Sequence, residues 1–471
     1  MGALLDQTKN YKAEFGLVFR SSAIFYIPRG VRTTISFGNY WKFKNGLDVS
    51  VIATVRDMDG RVVGRRPCPF EDGLVHNISD FGVEEGSVEI EAFGNTNMRI
   101  PYAAIMAIYE APDSVTMVHA YGRNHSLIEI EDTQAVLQGR EGCWSVKVES
   151  GVRNSAVFHC GHTGLAAQTA TLSLIDATGA VTRREVELAA SGPFATVVFD
   201  LDAMVPDYRE VLGGRSGWAS IHFDNDSAFT RLLVLWTSAD GRQMQVTHSN
   251  FDYDTQTTNR LPDGLKGYMK VPAVMQRMQT SELVVYPRMA PGEYRLERGA
   301  GGAAQGFDHG FTTGTGDAAT LEFSTASGSM PSRLVTALRG RRSDNAIDFE
   351  CSLGIAHGQR PPKRFHWSTV SARLACRIHI ARFEEIYPPA DALFLSWSLY
   401  SARTRDVLQT RLEYDALSDI PEEIALDELF PDAAAHLGDA FGCISVFCPW
   451  GGLLVFTSLE RGDAFTIEHS F

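Results

Sequence analysis

The stretch Asp202–Gly217, DAMVPDYREVLGGRSG, is matched without a gap by Asp427–Gly442, DELFPDAAAHLGDAFG. Both read D-x3-P-D-x4-L-G-x3-G. Pro206 aligns with Pro431, Asp207 with Asp432, Leu212 with Leu437, Gly213 with Gly438 and Gly217 with Gly442. Working outward at the same offset, Ser173-Leu174 meets Ser398-Leu399, Leu201 meets Leu426 and Ser220 meets Ser445. After one short gap, Val246-Thr247-His248-Ser249 meets Ile467-Glu468-His469-Ser470. So many fixed positions in one register point to an internal duplication.

The shared segment has a physical reading. A strand over 195–201 runs into an Asp, and the Pro stands where the first turn of a short helix accepts it. The Leu packs inward, and the following Gly permits the left-handed exit that stops the helix. A further strand follows at 218–223 and at 443–447, then a turn and two more strands. The unit is a β-module of about 100 residues with one helical crossover, the size of common sandwich domains.

Runs rich in Val, Ile, Phe, Tyr and Thr, broken by Gly, Asp and Asn, recur from end to end. Examples are Ala23–Ile27 (AIFYI), Leu47–Val55 (LDVSVIATV), Ala170–Ile175 (ATLSLI) and Leu232–Thr237 (LLVLWT). Alternation at period two is the strand signature, and long helical periodicity is missing. The expected fold is all-β: tandem β-sandwich-like modules with short helical crossovers, internally duplicated.

The N-terminal stretch reads as a more divergent copy. Val51–Gly60 (VIATVRDMDG) parallels Leu172–Gly179, Gly86–Ala92 (GSVEIEA) parallels Gly217–Phe223, and Met117–Tyr121 (MVHAY) takes the place of Val246–Asn250. The P-D-x4-L-G helix is missing there. Residues between Asp252 and Pro362 match none of these copies, and length alone favours a further β-domain. The expected division is a divergent β-module at 1–125, a sandwich module at 126–251, an unlike β-rich segment at 252–362, and a module at 363–471 repeating 126–251.

Composition bounds the function. The chain has 471 residues, 44% hydrophobic and 21% charged, enough apolar material for several cores. The formal charge of -14 opposes general binding to phosphate backbones or anionic lipid. The basic runs Arg339–Arg342 and Arg360–Arg364 are short and lack aromatic interleaving, so no nucleic-acid partner is expected. No apolar stretch reaches the length of a membrane helix, so no membrane insertion is expected. The start, MGALLDQTKN, has no signal-peptide pattern. Seven scattered cysteines in apolar contexts fit buried free thiols in a reducing compartment, and the expected location is cytoplasmic.

Chemistry-bearing motifs are few. Gly299–Gly316 (GAGGAAQGFDHGFTTGTG) lacks the G-K-[ST] of a phosphate loop and reads as a hairpin loop, with His309 its one notable side chain. Phe158–His162 (FHCGH) gathers soft-metal ligand types, but on a strand His159 and Cys160 face opposite sides. There is no G-x-S-x-G nucleophile signature. Tryptophans within strand patterns are expected in cores rather than as sugar platforms.

Two constellations remain. Lys363-Arg364-Phe365-His366-Trp367 is the densest mixture of basic and aromatic residues, so Lys363, Arg364, His366 and Trp367 are the candidate binding residues. His119, His248 and His469 occupy one terminal-strand position in three copies. If those modules surround a pseudo-threefold axis, three imidazoles converge and suit Zn or Fe with an open position. The plainer alternative is a polar residue that closes each module by hydrogen bonding. The leading expectation is a non-catalytic binding or assembly protein, without a cofactor, that contacts a protein or glycan partner. The alternative is a metal-dependent enzyme or metal-binding protein built on the three histidines.

Overall fold

The computed structural model describes residues 18–68, 73–96, 98, 104–119, 121–122, 141–225, 231–250, 264–286, 294–298, 305–307, 312–314, 320–325, 335–354, 356–358, 363–388, 392–404 and 406–471. Within them, 32 strands pair into eight antiparallel four-stranded sheets, two per sandwich.

The first sandwich holds β1 Phe19–Ile27, β2 Arg32–Gly38, β3 Ser50–Asp57, β4 Val62–Cys68, β5 Gly73–Asn77, β6 Gly86–Gly94, β7 Met106–Ala111 and β8 Ser114–His119. The second holds β9 Cys143–Val146, β10 Val152–His159, β11 Gln168–Ile175, β12 Val181–Leu188, β13 Thr196–Asp200, β14 Gly217–His222, β15 Leu233–Ser238 and β16 Met244–His248. The third holds β17 Gly267–Lys270, β18 Thr280–Val285, β19 Tyr294–Arg298, β20 Gln305–Phe307, β21 Thr312–Gly314, β22 Thr320–Thr325, β23 Val335–Arg341 and β24 Phe349–Gly354. The fourth holds β25 Phe365–Ser371, β26 Ala375–Arg382, β27 Phe394–Ser401, β28 Leu408–Glu413, β29 Glu423–Ala425, β30 Phe441–Phe447, β31 Leu453–Arg461 and β32 Ala464–His469.

One strand order serves all four. Counted within each sandwich, one sheet runs first–sixth–third–fourth and the other fifth–second–seventh–eighth. The segment 252–362, unlike the others in sequence, therefore has the same strand order as its neighbours. Backbone pairing and apolar alternation build that order without the residues that make the copies recognisable. On β11, Ala170, Leu172 and Leu174 point into the core, where they meet Phe158, Phe199 and Trp236 of the opposite sheet.

The repeated motif forms the crossover between the fifth and sixth strands. It is two one-turn helices rather than one: Leu201–Met204 (α1) and Tyr208–Val211 (α2), matched by Leu426–Leu429 (α3) and Ala433–Leu437 (α4). Pro206 precedes Asp207, the N-cap of α2, instead of standing inside the first turn. The buried Leu212 and Leu437 lie on a Gly at the start of the next strand, the first residue of β14 and the second of β30. A Cβ on Gly217 would come within 2.9 Å of Leu212 Cδ2 and 2.4 Å of the Ile175 carbonyl. On Gly442 it would meet Leu437 Cδ2 at 2.5 Å. The Leu and the last Gly of the motif are thus one packing unit.

A backbone clasp also recurs. After each eighth strand the chain crosses to the first strand of the other sheet, bridging Gly122 to Ile24, Asn250 to Cys143, Ala356 to Tyr268 and, through paired backbone bonds, Phe471 to Trp367.

The four sandwiches close into a ring. The strand β8 packs against β16 and β32, and β24 packs against the same two. The contacts run head to tail. Met106, Ile108, Val115 and Met117 of the first sandwich join the core of the fourth. Leu233, Leu235, Met244 and Val246 of the second join that of the first. Phe456, Phe465 and Ile467 of the fourth join that of the third. Val284, Ala337 and Tyr286 of the third meet Cys143 and Trp218 of the second. Each Val, Leu, Ile, Phe or Met among them contributes about 1.5–3 kcal/mol when fully buried, so shared cores hold the ring together. The polar seams repeat as well: Met117 N donates to Thr466 Oγ1 (3.4 Å), and Val246 N donates to Thr116 Oγ1 (3.2 Å).

Among the described residues, no helix is long and apolar enough to cross a membrane.

Candidate functional site

The eighth strands bring the repeated histidines together. Met106 pairs with His119, Leu233 with His248 and Phe456 with His469. The counterpart in the third sandwich is Val335 with Gly354. A buried residue lies three positions along each seventh strand: Tyr109, Trp236, Leu338 and Leu459. The arrangement expected from sequence was threefold. The circuit has four corners, and the fourth carries a glycine.

Three imidazoles meet where the strands converge. The His119 ring stands 4.4 Å edge-on from His248 and 4.8 Å from His469, between centroids. Phe471 closes one side, with its centroid 5.5 Å from His119. His248 Nδ1 donates to the Ser249 carbonyl at 2.8 Å, and His469 Nδ1 donates to the Ser470 carbonyl at 3.1 Å. A carbonyl only accepts, so in both neutral rings the lone pair resides on Nε2. His119 Nδ1 faces Glu468 Oε1 at 3.2 Å, and His469 Nε2 lies 3.6 Å from that same oxygen. His119, His469 and Glu468 each place one ligand atom within 4.8 Å of the other two.

Burial sets the electrostatics of this cluster. It lowers His119 to about 3, with the positive charge of Arg231 adding to the effect. It lowers His469 to about 4 against the pull of Glu468, and His248 falls well below the usual range. The same desolvation raises Glu468 to about 7, opposed by His469. Arg231 is ion-paired with Glu141, and Cys351 Sγ lies 3.9 Å from Glu468 Oε1. At neutral pH the rings are neutral, the form that binds metals. Glu468 and Cys351 escaped the sequence reading. The available signal was Glu468 itself, a carboxylate beside the repeated histidine where the other copies have Val118 and Thr247.

The other candidate residues fall elsewhere. His366 and Trp367 are taken out of any surface site: they are 1% and 3% exposed. His366 bonds Ser470 Oγ through Nδ1 (2.9 Å) and the Lys363 carbonyl through Nε2 (3.1 Å). Trp367 stacks on Phe471 (5.0 Å) and Tyr40 (6.3 Å) where the fourth sandwich meets the first. The basic–aromatic mixture separates because the strand buries its aromatic end. Lys363 and Arg364 stay exposed, and Lys363 Nζ reaches the Ser470 carbonyl at 3.4 Å. His159 commits Nε2 to the Tyr121 hydroxyl (2.9 Å) and Nδ1 to Thr196 Oγ1 (3.1 Å), with Cys160 buried beside it. His309 lies outside the described residues. All seven tryptophans are buried, Trp450 the least at 4% exposure.

A cavity of about 190 Å³ opens between the second and third sandwiches, lined by Lys147, Arg341 and Asp348 among others. Lys147 Nζ donates to the Asp348 carbonyl and lies 3.8 Å over the Trp236 ring. Burial lowers this amine to about 8. Its contacts join the two sandwiches.

No family model and no curated protein matches the chain. Among solved structures, a glycosyl hydrolase family 2 member from Bacteroides cellulosilyticus aligns over 96% of this chain and 92% of its own, at 6% identity and a TM-score of 0.13. A score that low carries no argument about fold or activity.

Proposed function

We propose that the chain is a non-catalytic binding or assembly protein that holds extended segments of a protein partner along the outer sheet edges of its ring. The observation that supports this reading is the chemistry of the edge strands. The strands β4 and β12 end their sheets and are largely exposed, and β28 takes the same place in the fourth sandwich. Val62, Val63 and Val181 are among the exposed large hydrophobics, at 57%, 47% and 51%. Arginine pairs follow them, Arg65-Arg66 on β4 and Arg183-Arg184 on β12, and β28 carries Arg411. An unpaired edge supplies backbone donors and acceptors for an added strand, and alternate side chains select its sequence. Valine beside arginine suits a partner segment that mixes apolar and acidic residues.

A protein partner is favoured over a glycan because the exposed groups are aliphatic and charged, Glu185 and Glu187 standing beside the arginines of β12, whereas the tryptophans that stack on sugars are interior. Several like edges on one rigid ring raise the effective concentration of a second contact to about millimolar, so weak single contacts add up to retention.

In native extract the chain should elute in a complex larger than its monomer. Arg65→Glu combined with Arg183→Glu should return it to the monomer position while it stays folded. Monomeric elution of the unaltered chain would sink the proposal.

A further inference from the structure

We propose that His119, His469 and Glu468, with His248 beside them, form an enclosed binding site for one divalent transition-metal ion of the zinc type, which ties the ring together at its centre. The inference goes beyond partner binding at the rim and does not depend on it.

Distance is the first argument. A tetrahedral ion with ligands at 2.0–2.2 Å needs its donor atoms about 3.3–3.6 Å apart. His119 Nδ1 to Glu468 Oε1 is 3.2 Å, and Glu468 Oε1 to His469 Nε2 is 3.6 Å. One ligand atom from each of His119, His469 and Glu468 lies within 4.8 Å of the other two.

Direction is the second. His469 Nδ1 is held by the Ser470 carbonyl, so its Nε2 lone pair faces the carboxylate oxygen. Two acceptors facing each other are favourable only with a cation or a proton between them. Imidazoles that bind metals characteristically donate their other N–H to a backbone carbonyl, which fixes the tautomer and the ring orientation. His469 does this, and so does His248 through Ser249. His248 lies beside this group, edge-on to His119 at 4.4 Å, and the three ligand atoms that come together are those of His119, His469 and Glu468.

Origin is the third. His119 belongs to the first sandwich, His248 to the second, and Glu468 and His469 to the fourth. An ion here would link three of the four sandwiches. The guanidinium of Arg231 is ion-paired with Glu141. Nitrogen and oxygen donors with one carboxylate suit zinc and its neighbours rather than calcium or magnesium.

The test uses the full chain without a histidine tag, stripped with chelator and titrated with Co²⁺ and then Zn²⁺. The expected result is one ion per chain, visible Co²⁺ bands of tetrahedral intensity, no thiolate charge-transfer band, and displacement by Zn²⁺. His469→Gln and Glu468→Gln should each weaken binding at least about 100-fold, while rim-dependent complex formation is retained. Failure of the unaltered stripped chain to take up one ion would overturn the site, whatever the variants do. So would uptake that all the variants preserve, or a thiolate band that moves the ion to Cys351. Partner capture and metal uptake are read separately, so either proposal can fail without the other.

Discussion

The third and fourth sandwiches have the same strand order, the same backbone clasp and the same head-to-tail seat in the ring, yet they share little at the level of residues. The fourth carries the two-helix crossover, with Leu437 packed on Gly442, and it places His469 and Glu468 at the centre. The third presents Gly354 at that corner and, on the face that meets the second sandwich, a charged group. There Glu350 accepts from Ser145 Oγ (2.6 Å), from the Tyr286 hydroxyl (2.5 Å) and from Arg339 (3.2 Å). The comparison separates two layers of information. Strand order survives wholesale replacement of side chains because it rests on backbone pairing and alternation. The chemistry at the centre depends on single residues and differs from corner to corner.

The largest expected effect concerns the crossover. Leu437→Ala removes a fully buried side chain and leaves a hole over Gly442, which should cost about 2–5 kcal/mol. Leu212→Ala should cost a similar amount, since the same unit recurs in the second sandwich. Chemical denaturation would check both, and a loss below about 1 kcal/mol would show the crossover to be ornamental.

A second, intermediate effect is acid sensitivity, which probes the centre. His119, His159, His248 and His469 have folded-state values pushed well below the ordinary 6.5 by burial. Between 6.5 and about 3–4 the unfolded chain therefore binds more protons than the folded one, and stability falls as pH drops through that window. Glu468, raised from 4.5 to about 7, works in the opposite direction between those two values and offsets part of the loss. Metal-free protein should lose stability steadily from pH 6.5 to 4, and His119→Gln with His248→Gln should flatten that slope. A flat profile in the unaltered protein would contradict the neutral, buried cluster.

The smallest effect is expected at the rim of the fourth sandwich. Arg411 pairs with Glu413 at 2.9 Å and covers the Phe394 ring at 3.7 Å. Both contacts are at the exposed edge, so Arg411→Ala should change stability by no more than about 1 kcal/mol. A thermal melt that moved as far as it does for Leu437→Ala would mean that the rim supports the fold as well as presenting a surface.

Much of this was legible in the residues. The all-β class followed from alternation. The motif reads as strand, Pro-bounded helix, inward Leu and Gly exit, and the structure divides the helix in two and places Pro206 and Pro431 ahead of the second N-cap rather than in the first turn. The ring had a signal that alternation alone obscures. Leu232–Trp236 (LLVLW) is apolar at every position, as a strand buried on both faces must be, and in β15 one face meets its own core while the other meets the first sandwich. Lys363–Trp367 misled for the complementary reason: composition marks a surface patch, but the partner of Trp367 is Tyr40, more than three hundred positions away in the chain.

The sequence by itself determined the strands, the crossover and the recurrence of His119, His248 and His469 at one strand position, because each depends on short-range alternation and turn geometry. Only the tertiary structure decided that 252–362 completes a ring of four, that the three histidines meet, and that Glu468 and Cys351 join them. Those outcomes depend on which apolar faces seek one another across the whole chain, and burial at that convergence, rather than any local motif, shapes its chemistry.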